Sequence, residues 1–117
     1  MIVLIPFALS ILLIPLAFSV SNSFDALLKQ EYLSHRADWE HDGMPSGYSW
    51  RPKDAKFPSS YFAGRTLSLA WLFATPRWAA GDVEATLLLL KIRTNTILFF
   101  AVGLLMLLSI LFLYHYA

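Results

Sequence analysis

The stretch Ile97-Leu98-Phe99-Phe100-Ala101-Val102-Gly103-Leu104-Leu105-Met106-Leu107-Leu108-Ser109-Ile110-Leu111-Phe112-Leu113-Tyr114 contains no charged residue and no proline. Its backbone polar groups can all be satisfied by intrahelical hydrogen bonds, which is what a medium without water demands. A soluble domain of 117 residues could hide so apolar a helix only inside a thick shell of other elements, and the remaining sequence is too short to supply one. The stretch is therefore expected to cross a membrane. Upstream of it, Gly81-Asp82-Val83-Glu84 places acids where a helix would start, and no breaker intervenes before Tyr116. A helix of about 35 residues would measure about 52 Å, more than the hydrocarbon thickness, so its first turns must stand outside. Leu87 to Leu90 then lie near the surface, Lys91 and Arg93 reach the headgroups, and Tyr114 and Tyr116 mark the far interface.

Met1 to Val20 is a second apolar run, and the first charged side chain after it is Asp25. About 20 helical residues reach about 30 Å, enough to span the hydrocarbon. Pro15 inside the run predicts a bend near Ile11 to Pro15. Ala17-Phe18-Ser19 and Ser19-Val20-Ser21 have the small-x-small character of a signal-peptide cleavage site, but no basic segment precedes the apolar run, which is read as a retained anchor.

The composition agrees: 57% of residues are hydrophobic and 15% charged, below the roughly 25% charged of soluble domains. A net charge of +1 offers nothing to nucleic acid, and the absence of cysteine excludes disulfides, thiol catalysis and cysteine-held metals. All nine Lys and Arg residues fall between positions 29 and 93, so the middle of the chain is expected to face the cytoplasm and both termini the periplasm.

Within that middle region, Ser21 to Glu40 reads as a helix continuing the first span, bent or re-capped at Ser21-Asn22-Ser23 and stopping at Asp42-Gly43. Asp25 with Lys29 and Arg36 with Glu40 are spaced as i,i+4 ion pairs, and Phe24, Leu28, His35 and Trp39 share a face. Met44 to Phe57 is a loop broken by Pro45, Gly47 and Pro52 and rich in aromatic and basic residues, including Trp50 and Arg51. Pro58 to Ala74 predicts a short helix whose apolar residues surround it, suited to a position between the membrane surface and another protein element.

Candidate chemistry is sparse. His35, Asp38, Glu40, His41 and Asp42 gather possible metal ligands, with Asp38 and His41 at i,i+3, yet a solvated, salt-bridged helix end uses the same residues. His115 could ligate a cofactor metal or serve as an interfacial anchor. Gly64-Arg65-Thr66 lacks the further glycines and lysine of a phosphate-binding loop, and no serine, histidine and acid set stands at hydrolase spacing.

Leu69-Ala70-Trp71, Arg77-Trp78, the acids Asp82 and Glu84, Arg93 and the terminal span, with Asp42-Gly43 in the middle region, resemble the universal stress protein B family of small bacterial membrane proteins. The resemblance implies a bacterial inner-membrane protein, and the family supplies no catalytic residues to carry over.

The expectation is an all-α membrane protein: transmembrane helix 1 at 1–20, cytoplasmic juxtamembrane helices and loop at 21–93, and transmembrane helix 2 at 94–117. The cytoplasmic region is expected to lack a hydrophobic core of its own. Its aromatic residues Trp39, Trp50, Trp71, Phe73 and Trp78 are then expected to contact a partner. Arg51, Arg65, Lys91 and Arg93 are expected to contact partner or phospholipid headgroups. The functional expectation is a non-enzymatic accessory subunit, without cofactor, of a larger bacterial membrane complex of respiratory or photosynthetic kind. Alternatives are a stress-linked membrane regulator acting through its cytoplasmic loop and a metal or cofactor carrier.

Overall fold

The computed structural model describes residues 3–116, and every regular element among them is helical. Met1, Ile2 and Ala117, the outer limits of the two expected spans, lie outside the described residues. The order is α1 (Leu4–Ser34), α2 (Arg36–His41), α3 (Ser59–Phe73), a single 3-10 turn (Arg77–Ala79) and α4 (Val83–Tyr116). Both α1 and α4 are long and apolar enough to cross a membrane.

α1 runs unbroken through Pro15 and through Ser21-Asn22-Ser23. The helix continues past the first span as expected, without re-capping at 21–23, where Ser23, Phe24 and Asp25 are buried against the rest of the chain and tertiary packing overrides a weak local preference. The break comes instead at His35, whose φ of −135° and ψ of 54° leave the helix while its N–H still reaches the Glu31 carbonyl at 2.7 Å. α2 ends where the sequence places its stop. Gly43 N–H donates to the Glu40 carbonyl (3.1 Å) and Met44 N–H to the Trp39 carbonyl (3.0 Å), the Schellman pattern, with Gly43 at φ +94°. A glycine takes that left-handed conformation without steric cost. α4 begins at an acid: Asp82 Oδ1 accepts the Ala85 N–H at 3.2 Å, and the other carboxylate oxygen takes a hydrogen bond from the Gln30 side-chain amide of α1.

α1 and α4 form an antiparallel pair. Many of the shielded positions step by threes and fours, among them 9, 13, 16 and 20 on α1 and 92, 95, 99, 102, 106 and 109 on α4. That spacing is the seam of two helices packed at a shallow angle. Among the described residues a polar bond crosses the apolar part of the pair, from Asn95 Nδ2 to Ser19 Oγ at 2.6 Å. The molecule measures 57 × 31 × 18 Å, and the width comes from the polar half, where α2, α3 and the connecting loops wrap the α1–α4 pair as a helical cap.

This cap has a hydrophobic core, contrary to the expectation from sequence. Phe24, Leu27 and Leu28 of α1, Trp39 of α2, Leu67 and Trp71 of α3, Ala79, and Ala85, Leu89 and Ile92 of α4 are buried in one cluster. α1, α3 and α4 each contribute residues three or four apart, so one stripe from each packs around Trp39, the single buried residue of α2. At roughly 1.5–3 kcal/mol per fully buried large side chain, the cluster is the main source of the cap's cohesion.

Candidate functional site

Two acids of α1 organise the cap from within. Asp25 Oδ1 accepts the Tyr48 N–H at 2.6 Å, and Oδ2 accepts the N–H groups of Ser49 (2.8 Å) and Trp50 (3.1 Å). The loop after α2 is thus wound around a carboxylate, and the expected pairing of Asp25 with Lys29 is replaced by three backbone donors. The loop passes so close that a Cβ on Gly47 would stand 2.1 Å from Asp25 Oδ1. Arg36 likewise departs from its expected partner Glu40: its guanidinium lies over the Tyr32 ring at 3.6 Å and pairs with Asp54 at 3.3 Å.

Glu31, on the polar half of α1 well beyond the apolar run, is 0% exposed, and neither carboxylate oxygen has a hydrogen-bond partner at bonding geometry. Burial pushes its carboxyl up to about 9, the neighbouring Asp42 carboxyl adds to the rise, and the indole N–H of Trp78 opposes it. The group is therefore protonated near neutral pH. Sequence reading passed over Glu31, although 24, 28, 31 and 35 step along one helix stripe, which places a carboxylate on the same face as Phe24 and Leu28.

The residues expected to meet a partner divide into three groups. Trp39 and Trp71 are 1% and 2% exposed, and their surface is spent inside the chain, with Trp39 Nε1 donating to the Pro45 carbonyl at 2.9 Å. Trp50 and Trp78 are half-buried, Trp50 edge-on to Tyr32 and Trp78 beside His35 at 4.9 Å between centroids. Phe73, at the end of α3, is 88% exposed. Burial corrects the reading of Trp39 and Trp71 as contact surface: both enter a core because α3 folds back onto α1 and α4, which no local pattern announces.

Among the basic candidates, Arg51 and Lys91 are exposed. Arg93 is half-buried, and its Nε donates to the Trp71 carbonyl (3.0 Å) while Nη2 donates to Thr75 Oγ1 (3.2 Å). Arg65 sits between the rings of Tyr48 (3.8 Å) and Tyr61 (4.9 Å), with Nη2 donating to the Ser46 carbonyl at 3.3 Å. Gly64 beside it serves close packing: a Cβ there would meet the Ser46 carbonyl oxygen at 2.0 Å. Asp38 and His41 are exposed on α2, and among the described residues no three His, Asp or Glu side chains converge as metal ligands. His115 is exposed at the end of α4, against the edge of Tyr116.

A groove of about 270 Å³ opens where α3 lies on the α1–α4 pair, walled by Ala17, Val20 and Phe24 of α1, Leu69 and Leu72 of α3, and Ile92, Phe99 and Phe100 of α4. Its polar lining is confined to Tyr48, Ser68 and Thr96. The Tyr48 hydroxyl and Ser68 Oγ are 2.9 Å apart, and Thr96 Oγ1 is buried without a partner. The cleft is apolar along its length, with its few polar groups at one end. No family model, no curated protein and no solved structure matches this chain.

Proposed function

We propose that the chain is a non-catalytic subunit of a larger bacterial membrane assembly, inserted in the inner membrane by α1 and α4 with the helical cap in the cytoplasm. The observation that carries this reading is a stripe on α4. Val83, Leu87 and Leu90 are exposed, the two leucines at 60% each, on the side of the helix opposite the core residues Ala85, Leu89 and Ile92. They are bracketed by Asp82 and Glu84 on one side and Lys91 and Arg93 on the other, which holds them at or above the headgroups rather than in hydrocarbon. Leucines left bare there mark a surface that another protein covers. The same face continues into the apolar segment through Ile97, Leu104 and Leu108, so a partner helix could follow it into the bilayer.

The confinement of every Lys and Arg to 29–93 supports the orientation. Purification from native membranes in mild detergent tests the reading. The expected result is a stoichiometric partner that is lost at least tenfold in the Leu87→Glu/Leu90→Glu variant. A wild-type chain that runs alone as a monomer would overturn it.

A further inference from the structure

The groove beside α3 has a chemistry of its own. Its walls straddle the border between apolar and polar sequence on both long helices: Ala17 to Phe24 spans the end of the first apolar run, and Ile92 to Phe100 the start of the second. If these helices cross a bilayer, the groove lies at headgroup level, with its apolar length facing the acyl chains. On α3, Arg65, Ser68, Leu69 and Leu72 are spaced i, i+3, i+4 and i+7, one stripe that passes from a guanidinium through a hydroxyl to two leucines. Arg65 is held in place by the Tyr48 and Tyr61 rings, and Tyr48 itself lines the groove. Among the described residues the only ion pair within 4.0 Å is Arg36 with Asp54, so Arg65 has no carboxylate partner. Asp25, which holds the loop that carries Tyr48, has both oxygens engaged by backbone amides. Beyond Leu72, Thr96 and Phe100 a second apolar cleft continues over Phe73 and Ile97 toward Arg93.

We propose that this groove is a binding site for one anionic glycerophospholipid, its phosphate on the Arg65 fork and the Tyr48–Ser68 hydroxyl pair, and an acyl chain laid between Leu72, Phe99 and Ala17. A guanidinium with five donors, one of them given to Ser46, has the right shape for a phosphate. The absence of a free carboxylate beside it disfavours a headgroup that also carries an ammonium, so phosphatidylglycerol binds ahead of phosphatidylcholine. Thr96 Oγ1, buried without a partner, donates to an ester carbonyl at the top of the acyl chain. The site rests on the membrane reading but not on the presence of a protein partner.

The full chain is reconstituted in phosphatidylcholine nanodiscs with and without phosphatidylglycerol, then released into detergent and weighed by native mass spectrometry. The wild type retains one phosphatidylglycerol and discriminates against phosphatidylcholine. Arg65→Gln weakens retention about tenfold, the loss of one charge-assisted contact. Ala17→Phe, which fills the groove and leaves Arg65 in place, does the same, whereas Lys29→Gln, which removes an exposed charge of α1 that does not line the groove, has no effect. Equal retention by Arg65→Gln and Lys29→Gln, equal retention of the two lipids, or displacement of the lipid by inorganic phosphate would each overturn the proposal. Membrane flotation of every variant separates the two readings. A chain absent from membranes defeats both, and a membrane-bound chain without retained lipid defeats only this one.

Discussion

At the scale of single residues, the cap depends on two buried carboxyl groups in opposite surroundings, Asp25 ringed by backbone donors and Glu31 without a partner. Asp25 is worth most as an acceptor, because three backbone N–H groups of the loop turn toward it. Hydrogen bonds to a charged group contribute about 1.5–3 kcal/mol, and removing the acceptor strands three donors at once. Asp25→Ala should lower stability by about 3 kcal/mol and open the loop to trypsin at Arg51 and Lys53, measured by thermal denaturation in detergent and by limited proteolysis. Glu31 acts through its proton. In the unfolded chain it titrates near 4.5 and in the folded chain near 9, so the folded state holds a proton that the unfolded state has lost across that window. Stability is full below about 4.5 and falls as pH rises toward 9. Glu31→Gln mimics the protonated form, and its melting temperature should be flat over the range where that of the wild type declines. A decline of equal slope in both proteins would show that Glu31 is not the titrating group.

At the scale of elements, α3 is the piece that turns a hairpin into a domain. Its buried positions Ser60, Gly64, Leu67 and Trp71 fall on one stripe, and its N-terminal part is tied to the loop by Ser46 N–H donating to the Ser60 carbonyl at 3.0 Å. Gly64 admits the Ser46 carbonyl where any side chain would clash, so Gly64→Ala should cost about 1–3 kcal/mol, as overpacking does, and should speed cleavage at Lys53 and Lys56. Trp71→Ala removes the largest α3 side chain from the cluster and should cost about 3–5 kcal/mol. Thermal unfolding of both variants, followed by tryptophan fluorescence for Gly64→Ala and by circular dichroism for Trp71→Ala, checks the order. If Gly64→Ala exceeds Trp71→Ala, the contact with the loop outweighs the core.

For the molecule as a whole, the proposed two-pass topology is tested by which side of a bilayer the cap occupies. The chain contains no cysteine, so single cysteines report position without background. Arg51→Cys should react with an impermeant maleimide only after the membrane is permeabilised, and Tyr114→Cys should react in intact cells. The reverse pattern would invert the topology and with it the compartment of any partner.

The two apolar segments, the helical character of the intervening pieces, the stop at Asp42-Gly43 and the acid that opens α4 were all legible in the sequence, because each depends on neighbours within a turn or two along the chain. The cap's core, the burial of Trp39 and Trp71, the capture of the loop by Asp25 and the isolation of Glu31 were decided by tertiary structure. Those features join residues more than twenty positions apart. Whether an aromatic side chain faces a partner or a neighbouring helix, and whether an acid meets lysine or amide, follows from how α3 lies on the α1–α4 pair. No local periodicity encodes that arrangement.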